Sequence, residues 1–255
     1  MRIISSRLIC IGVFELWGIV VIFKKFKNIV TEYGRALVDF MFPPFCMLCE
    51  ESLLPSEKNV CDSCWHLLPL TEPPFLESDL QSQSAKFEKF YVGSLAVWQY
   101  TELAQEIVHL LKYNGYQSLA KRIGSQMGHL ASEYEDYKYA DFIVPIPLHK
   151  IRHREREFNQ SQLLANYVSN FIQVPVNEKM LVRNRYTNPQ AKLSATERHK
   201  NIIGAFSIKD NTSLKDTHII VIDDVITTGS TINECAGILK NAGAKSVYAL
   251  TAFRA

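Results

Sequence analysis

The segment Ile219-Ile220-Val221-Ile222-Asp223-Asp224-Val225-Ile226-Thr227-Thr228-Gly229-Ser230-Thr231 constrains the fold of this chain more than any other. Four β-branched apolar residues, Ile219 to Ile222, predict a strand buried on both faces. Two adjacent carboxylates follow at its carboxyl end. Then comes Thr-Thr-Gly-Ser-Thr, which is small, hydroxyl-rich and able to turn at Gly229. Beyond it Ile232, Cys235, Ala236 and Leu239 recur at helical spacing, so Ile232 to Ala242 reads as a helix. The loop therefore lies at the end of a sheet strand, where open α/β sheets hold their ligands.

That placement has chemical consequences. A helix start offers unpaired backbone N–H groups and the positive end of the macrodipole. A loop of glycine and hydroxyl residues lets those groups approach a phosphate closely. Asp223 and Asp224 would repel the same phosphate. Carboxylates instead accept hydrogen bonds from sugar hydroxyls and attract a divalent cation. A ligand with both a phosphate and a cis-diol, a ribose 5-phosphate, satisfies both halves. The plainer alternative is a strand end with a capping Asp and a Thr/Ser helix start; the length of the string weighs against it.

Four of the six cysteines fall as Cys46-Met-Leu-Cys49 and Cys61-Asp-Ser-Cys64. Two Cys-x-x-Cys pairs at this spacing allow four thiolates to converge on one zinc ion. Two disulfides or unligated thiols are the alternatives, and a nucleotide-sugar site implies the reducing cytoplasm, which favours metal. Four sulfurs leave no open position, so the site reads as structural. Cys235 reads as a core residue of its helix. Trp65 and Phe45 are expected to form a small apolar cap beside the sulfurs, and a zinc module of this size could fold alone. Pro69 to Lys89 is rich in Pro, Ser and Glu and reads as a linker or partly ordered loop.

From Tyr91 onward strands and helices alternate. Tyr91–Tyr100 reads as a strand, Glu102–Tyr113 and Leu119–Tyr134 as helices, and Phe142–Pro147 as a buried strand running into a Pro-restricted loop. Gln160–Phe171 reads as a helix, and Lys179–Arg183, Gly204–Ile208 and Ser246–Phe253 as strands. This order predicts an α/β domain with a mainly parallel sheet. Asn184 to Lys200 is polar; it reads either as a flap that closes on substrate and excludes water or as a long hairpin loop. His149 to Gln160 holds Arg152, Arg154 and Arg156 with Lys150 and two imidazoles. Such a cluster suits pyrophosphate, or is simply a solvated basic face at a helix start.

Composition excludes little else. A 47% apolar and 21% charged chain of 255 residues has a sizeable core, and a net charge of +2 sets up no global basic field for nucleic acid. Leu8 to Phe23 is apolar between basic flanks, yet shorter than the roughly twenty residues a spanning helix needs, and it carries Glu15 at its centre. No small-x-small cleavage pattern follows it. It reads as a peripheral helix, a short anchor or an upstream extension, and no stable membrane span is expected.

The thirteen-residue string resembles the PRPP (5-phosphoribosyl-1-diphosphate) signature of type I phosphoribosyltransferases. The resemblance gives Asp223 and Asp224 to the ribose hydroxyls and Thr227, Thr228, Gly229, Ser230 and Thr231 to the 5-phosphate. It also places Val144-Pro145-Ile146-Pro147 in the loop lining the pyrophosphate pocket. Pro-x-Pro, then Arg-x-Arg-x-Arg, then Phe158-Asn159-Gln160 resembles the ComF family of competence-related, phosphoribosyltransferase-like proteins. So do Phe42-Pro43-Pro44-Phe45-Cys46-x-x-Cys49, Lys112-Tyr113-x-Gly115 and Arg198-x-x-Asn201-x-x-Gly204-Ala205-Phe206. The likeness runs from about Arg35 to Ala255 and departs at Glu157, where that family usually has glycine.

The resemblance implies a type I phosphoribosyltransferase fold behind a small zinc module. The expected divisions are an apolar extension (1–34), the zinc module (35–70), a linker (71–90) and the transferase-like domain (91–255). Cys46, Cys49, Cys61 and Cys64 would hold structural zinc. Pro147, Arg152, Arg154 and Arg156 would meet pyrophosphate, and Mg²⁺ would arrive with PRPP. A catalytic version would displace pyrophosphate from C1 with an acceptor the sequence does not name. A non-catalytic version would bind a phosphoribosyl ligand or single-stranded DNA beside a helicase-like partner in DNA uptake. A purine-synthesis amidophosphoribosyltransferase is disfavoured, since Arg2 and not a nucleophilic cysteine follows Met1. A cytoplasmic location is expected.

Overall fold

The computed structural model describes residues 43–76, 88–113, 117–187, 194–209 and 214–255. The apolar first segment, Gly115 and the middle of the expected linker lie outside the described residues.

A five-stranded sheet runs in the order β1 (Phe75–Leu76), β2 (Ser94–Gln99), β7 (Ser246–Arg254), β6 (His218–Ile226) and β3 (Phe142–Pro145). The β2–β7, β7–β6 and β6–β3 pairs are parallel and only β1 is antiparallel, which is the mainly parallel sheet expected. A separate two-stranded hairpin joins β4 (Leu181–Arg183) to β5 (Phe206–Ile208). The helices are α1 (Asp62–His66), α2 (Glu102–Tyr113), α3 (Gln117–Ser132), α4 (Glu135–Lys138), α5 (Lys150–Arg156), α6 (Gln160–Ile172), α7 (Ala195–Ile202) and α8 (Ser230–Asn241).

Alternation along β6 splits the core into two layers, as a strand buried on both faces requires. Ile220 and Ile222 pack with Ile107 and Leu111 of α2, Ile123 of α3 and Leu164 of α6. Ile219 and Val221 pack with Ile232, Cys235, Ala236 and Leu239 of α8 and with Leu181 and Phe206 of the hairpin. The four residues expected on the apolar stripe of α8 are all buried.

Three expectations change. First, β6 does not stop at Ile222. It runs through both carboxylates to Ile226 because β7 supplies ladder partners as far as Arg254. Second, the expected linker contributes to the sheet: Thr71 N–H donates to Val97 O at 3.0 Å, and Phe75 pairs with Leu95. Third, the expected flap or loop ends in α7. Its start is a capping box: Ser194 N–H and Oγ donate to Glu197 Oε2 at 2.8 and 2.7 Å, and Glu197 N–H donates back to Ser194 Oγ at 3.4 Å. Those hydrogen bonds hold the Glu197 carboxyl below its ordinary value.

The zinc module does not stand apart. Cys46, Val60, Trp65 and Leu68 belong to the same core as Leu95, Trp98 and Phe253. The Trp65 and Trp98 rings lie 5.8 Å apart, and the Arg122 guanidinium of α3 lies 4.8 Å over Trp65 while ion-pairing with Asp62. Trp65 thus faces the sheet, whereas Phe45 is 55% exposed and lies outside that core.

Candidate functional site

Among the described residues, two constellations of chemistry-bearing side chains stand out. In the first, the sulfurs of Cys46, Cys49, Cys61 and Cys64 all lie within 4.8 Å of one another. Cys46 and Cys64 Sγ are 3.8 Å apart, and Cys49 and Cys61 Sγ 3.6 Å. A tetrahedron with Zn–S bonds of about 2.3 Å has edges of about 3.8 Å, so the donor set fits zinc. Backbone N–H groups of Cys61 and Cys64 donate to Cys46 and Cys61 sulfurs, each at 3.4 Å, stabilising thiolate charge. Three of the four cysteines are buried, so the centre is closed and structural.

The second is a cleft of about 420 Å³ at the carboxyl ends of β3 and β6. One wall is the β6–α8 junction. Gly229 sits at φ +70° as the N-cap of α8 and offers no side chain to cap it. A Cβ there would lie 2.6 Å from Tyr91 Oη, so glycine meets both a left-handed backbone and a close neighbour. Thr228 and Ser230 hydroxyls are 2.9 Å apart at the same turn. Thr227 to Thr231 all line the cleft.

The two carboxylates are held differently. Asp224 is buried and ion-pairs with Lys112 at the end of α2. Burial would raise its carboxyl, but Lys112, by charge and hydrogen bond, brings it below the ordinary value. Asp223 is half-buried and accepts from Ser161 Oγ at 3.0 Å and from the Asp224 N–H at 2.9 Å. Burial first, and the neighbouring Asp224 charge second, push its carboxyl up to about 7.

Cations fill the remaining wall. Arg152 and Arg156 of α5, Arg183 of β4 and Arg198 of α7 all line the cleft. Arg154 does not; it is exposed. The basic run is a helix, and 3.6 residues per turn set 152 and 156 on one face and 154 on the other. Pro147 also lies outside the lining, between Ile146 and Leu148, which do contribute. Of the four residues the sequence assigns to pyrophosphate, Arg152 and Arg156 therefore stand beside the expected carboxylates and loop, and Arg154 and Pro147 lie outside the lining.

The Phe-Asn-Gln motif acts as scaffolding. Asn159 caps α6 by accepting the Ser161 N–H at 3.1 Å and donates to Ile146 O at 3.0 Å, tying the β3 loop to the helix. Gln160 Oε1 accepts from Arg156 Nη1 at 3.2 Å.

Sequence reasoning missed several participants. Lys112 and Arg198 stood in motifs of the resemblance and Arg183 at the end of an expected strand, but nothing local tied them to Asp223. Arg183 is the most telling: burial lowers its pKa, and its Nε is buried without a hydrogen-bond partner. Its guanidinium packs 5.2 Å over Phe206. Tyr186 stands at the rim, 5.5 Å from the His149 ring and 5.6 Å from the Arg152 guanidinium.

Residues 158–255 match the phosphoribosyl transferase domain family, and residues 37–75 match the double zinc ribbon domain family. The chain is 28% identical over 220 residues to a Salmonella typhimurium protein called DNA utilization protein YhgH, covering 80% of this chain and 94% of that one. It is 28% identical over 236 residues to competence protein ComFC of Bacillus subtilis, covering 82% and 94%. It is 32% identical over 118 residues to competence protein F of Haemophilus influenzae, covering 46% and 52%. Among the described residues no helix is long and apolar enough to cross a membrane.

Proposed function

We propose, taking as premise a ComF-type chain in which a zinc ribbon precedes a phosphoribosyltransferase-fold domain, that the cleft binds Mg-PRPP or a related ribose-5-phosphate nucleotide. One observation carries the reading. A single cavity of about 420 Å³ collects Asp223, Asp224, the Thr227–Thr231 turn and the guanidiniums of Arg152, Arg156 and Arg183. A diol acceptor, a phosphate cradle and a polyanion clamp match the three parts of PRPP in turn. In the enzymatic form of this reading a nucleophile displaces pyrophosphate from C1. Positioning and charge stabilisation would then be the protein's contribution, with Asp223 and Asp224 on the ribose and Arg152 and Arg156 on the leaving group. Mg²⁺ would come with the diphosphate and neutralise part of its charge. The thiolate centre and a nucleotide-sugar ligand both suit the cytoplasm.

Calorimetric titration of Mg-PRPP tests this. The wild type is expected to bind in the micromolar range. Each charge-assisted bond is worth about 1.5–3 kcal/mol, so Arg152→Ala/Arg156→Ala should weaken binding by roughly a hundredfold or more. Arg154→Ala should leave it unchanged. A folded, zinc-loaded wild type that binds no Mg-PRPP would defeat the proposal.

Tyr186 with Arg152 and His149 at the rim favours a second reading. The three make a platform on which a base of single-stranded DNA could stack, in a non-catalytic protein acting with a helicase partner. Relatives named for DNA utilization and competence point the same way. Binding whose affinity falls steeply with salt, without pyrophosphate release, would select it.

A further inference from the structure

Asp224 is engaged before any ligand arrives. Its Oδ2 is ion-paired with Lys112 Nζ; the carboxylate side chain is 6% exposed and the lysine 21%, so the pair is largely desolvated. Lys112 stands in the last turn of α2, and both residues line the cleft. Tyr100 shares this corner of the cavity.

Two adjacent carboxylates beside hydroxyl groups would ordinarily draw a hard divalent cation, which takes oxygen ligands and favours carboxylates. An ammonium in contact with one of them changes that. It has three donors and no acceptor, so it occupies the oxygen and offers a metal nothing in return. A divalent ion at the same oxygen would also meet a positive charge at contact distance, with twice the repulsion of a unit pair.

The geometry points to Lys112 as a resident cation of the acidic pair, which excludes a free divalent ion and makes the cleft take its metal only as a diphosphate complex. This rests on the reading of the cleft as a Mg-PRPP site. Asp223, held by Ser161 Oγ and the Asp224 N–H, is left as the carboxylate facing an incoming diol. Mg-PRPP brings its cation on the diphosphate, to be met at the Arg152 and Arg156 side of the cavity. A merely structural Lys112 would anchor α2 to β6 and would have no bearing on metal selectivity.

The test uses Mn²⁺ alone, followed by electron paramagnetic resonance and calorimetry, with full-length zinc-loaded protein. Hard Mn²⁺ leaves a four-thiolate zinc centre in place. The wild type is expected to show no saturable site that Asp224→Asn removes. Lys112→Met should create one site binding Mn²⁺ at least about tenfold more tightly than the wild type does, abolished again in Lys112→Met/Asp224→Asn. Lys112→Arg keeps the charge and should behave as the wild type. A folded Lys112→Met that binds Mn²⁺ no better than the wild type overturns the proposal, as does a wild-type site lost in Asp224→Asn. Should Lys112→Met not fold, Lys112→Gln takes its place with the same expected and overturning outcomes. Mn²⁺ carries no sugar phosphate. A failure to bind Mg-PRPP would therefore sink the proposed function and the diphosphate half of this inference, while the exclusion of a free divalent ion by Lys112 would stand or fall on the Mn²⁺ result alone.

Discussion

The zinc ribbon and the cleft both gather like charges, and they do so in opposite ways. In the ribbon four sulfurs converge to within 4.8 Å, three of them buried, around a point that one cation satisfies completely. In the cleft Lys112, Arg152, Arg156, Arg183 and Arg198 surround about 420 Å³ of open space, and only Asp223 and Asp224 oppose them. The first arrangement returns its electrostatic cost to the fold at once. The second leaves a cost standing: the Nε of half-buried Arg183 is buried and unpaired, and Asp223 is pushed towards the protonated form. A closed site stabilises, whereas an open one reserves its unsatisfied donors for a ligand.

The largest effect should come from the closed site. Cys64 is 4% exposed and sits one residue from Trp65, which joins the ribbon to Trp98 and Phe253 of the sheet. Structural zinc in isolated modules is worth about 10–16 kcal/mol, part of which is lost here when one thiolate is replaced. Cys64→Ser should abolish bound zinc, measured by chelator release, and lower the melting temperature of the whole chain by more than about 10 °C, an amount corresponding to several kcal/mol. If zinc is lost and the melting temperature stays within a few degrees, the ribbon is an appendage and the shared core means little.

Strain in the open site has a pH signature. The folded-state pKa of Asp223 is raised to about 7 by burial and by Asp224, against about 3.9 for an unfolded aspartate. The folded state therefore holds this proton more tightly. Its contribution is fully present below about pH 4 and is lost as pH rises through 7. Asp223→Asn cannot ionise, yet it keeps the oxygen that accepts from Ser161 and from Asp224 N–H. It should be more stable than the wild type at pH 8 by on the order of 1–3 kcal/mol, the lower end if Arg183 misses its countercharge. The two should coincide near pH 4. Thermal unfolding at both values checks this; equal stability at pH 8 would remove the contrast between the sites.

The two regions also differed in how far the sequence revealed them. The metal ligands sit in two short repeats, and their chemistry is fixed by residue type and spacing, so Cys46 to Cys64 could be read directly. The β6–α8 unit was equally local and carried Asp223, Gly229 and the core stripe of α8. The rest of the cleft is assembled across distance. Lys112 meets Asp224 from α2, and Ser161 meets Asp223 from α6, and no sequence periodicity encodes either encounter. The basic run was legible as charge but not as direction. Only its folding into α5 separates Arg152 and Arg156 from Arg154. Likewise the Pro/Ser-rich composition after Pro69 concealed a strand, because the partner that orders Phe75 is Leu95, from β2.

The smallest effect concerns Glu157, where the sequence departs from the pattern it resembles. Glu157 is the C-cap of α5, at φ +65° with its N–H donating to His153 O at 2.8 Å. Its side chain is exposed, and it is not among the residues lining the cleft. What a glycine would change here is thus the backbone: the left-handed region costs a residue with a Cβ about 1–2 kcal/mol, and glycine avoids it. Part of that gain is cancelled by the greater entropy glycine brings to the unfolded chain, about 0.4–1 kcal/mol. Glu157→Gly should therefore stabilise the protein by about 0.5–1 kcal/mol in denaturant unfolding and leave Mg-PRPP affinity where it was. A change in affinity of tenfold or more without a change in stability would reverse the assignment. It would mean that the Glu157 charge, and not its backbone, acts on the neighbouring Arg156, and that the cleft extends further along α5 than its present lining.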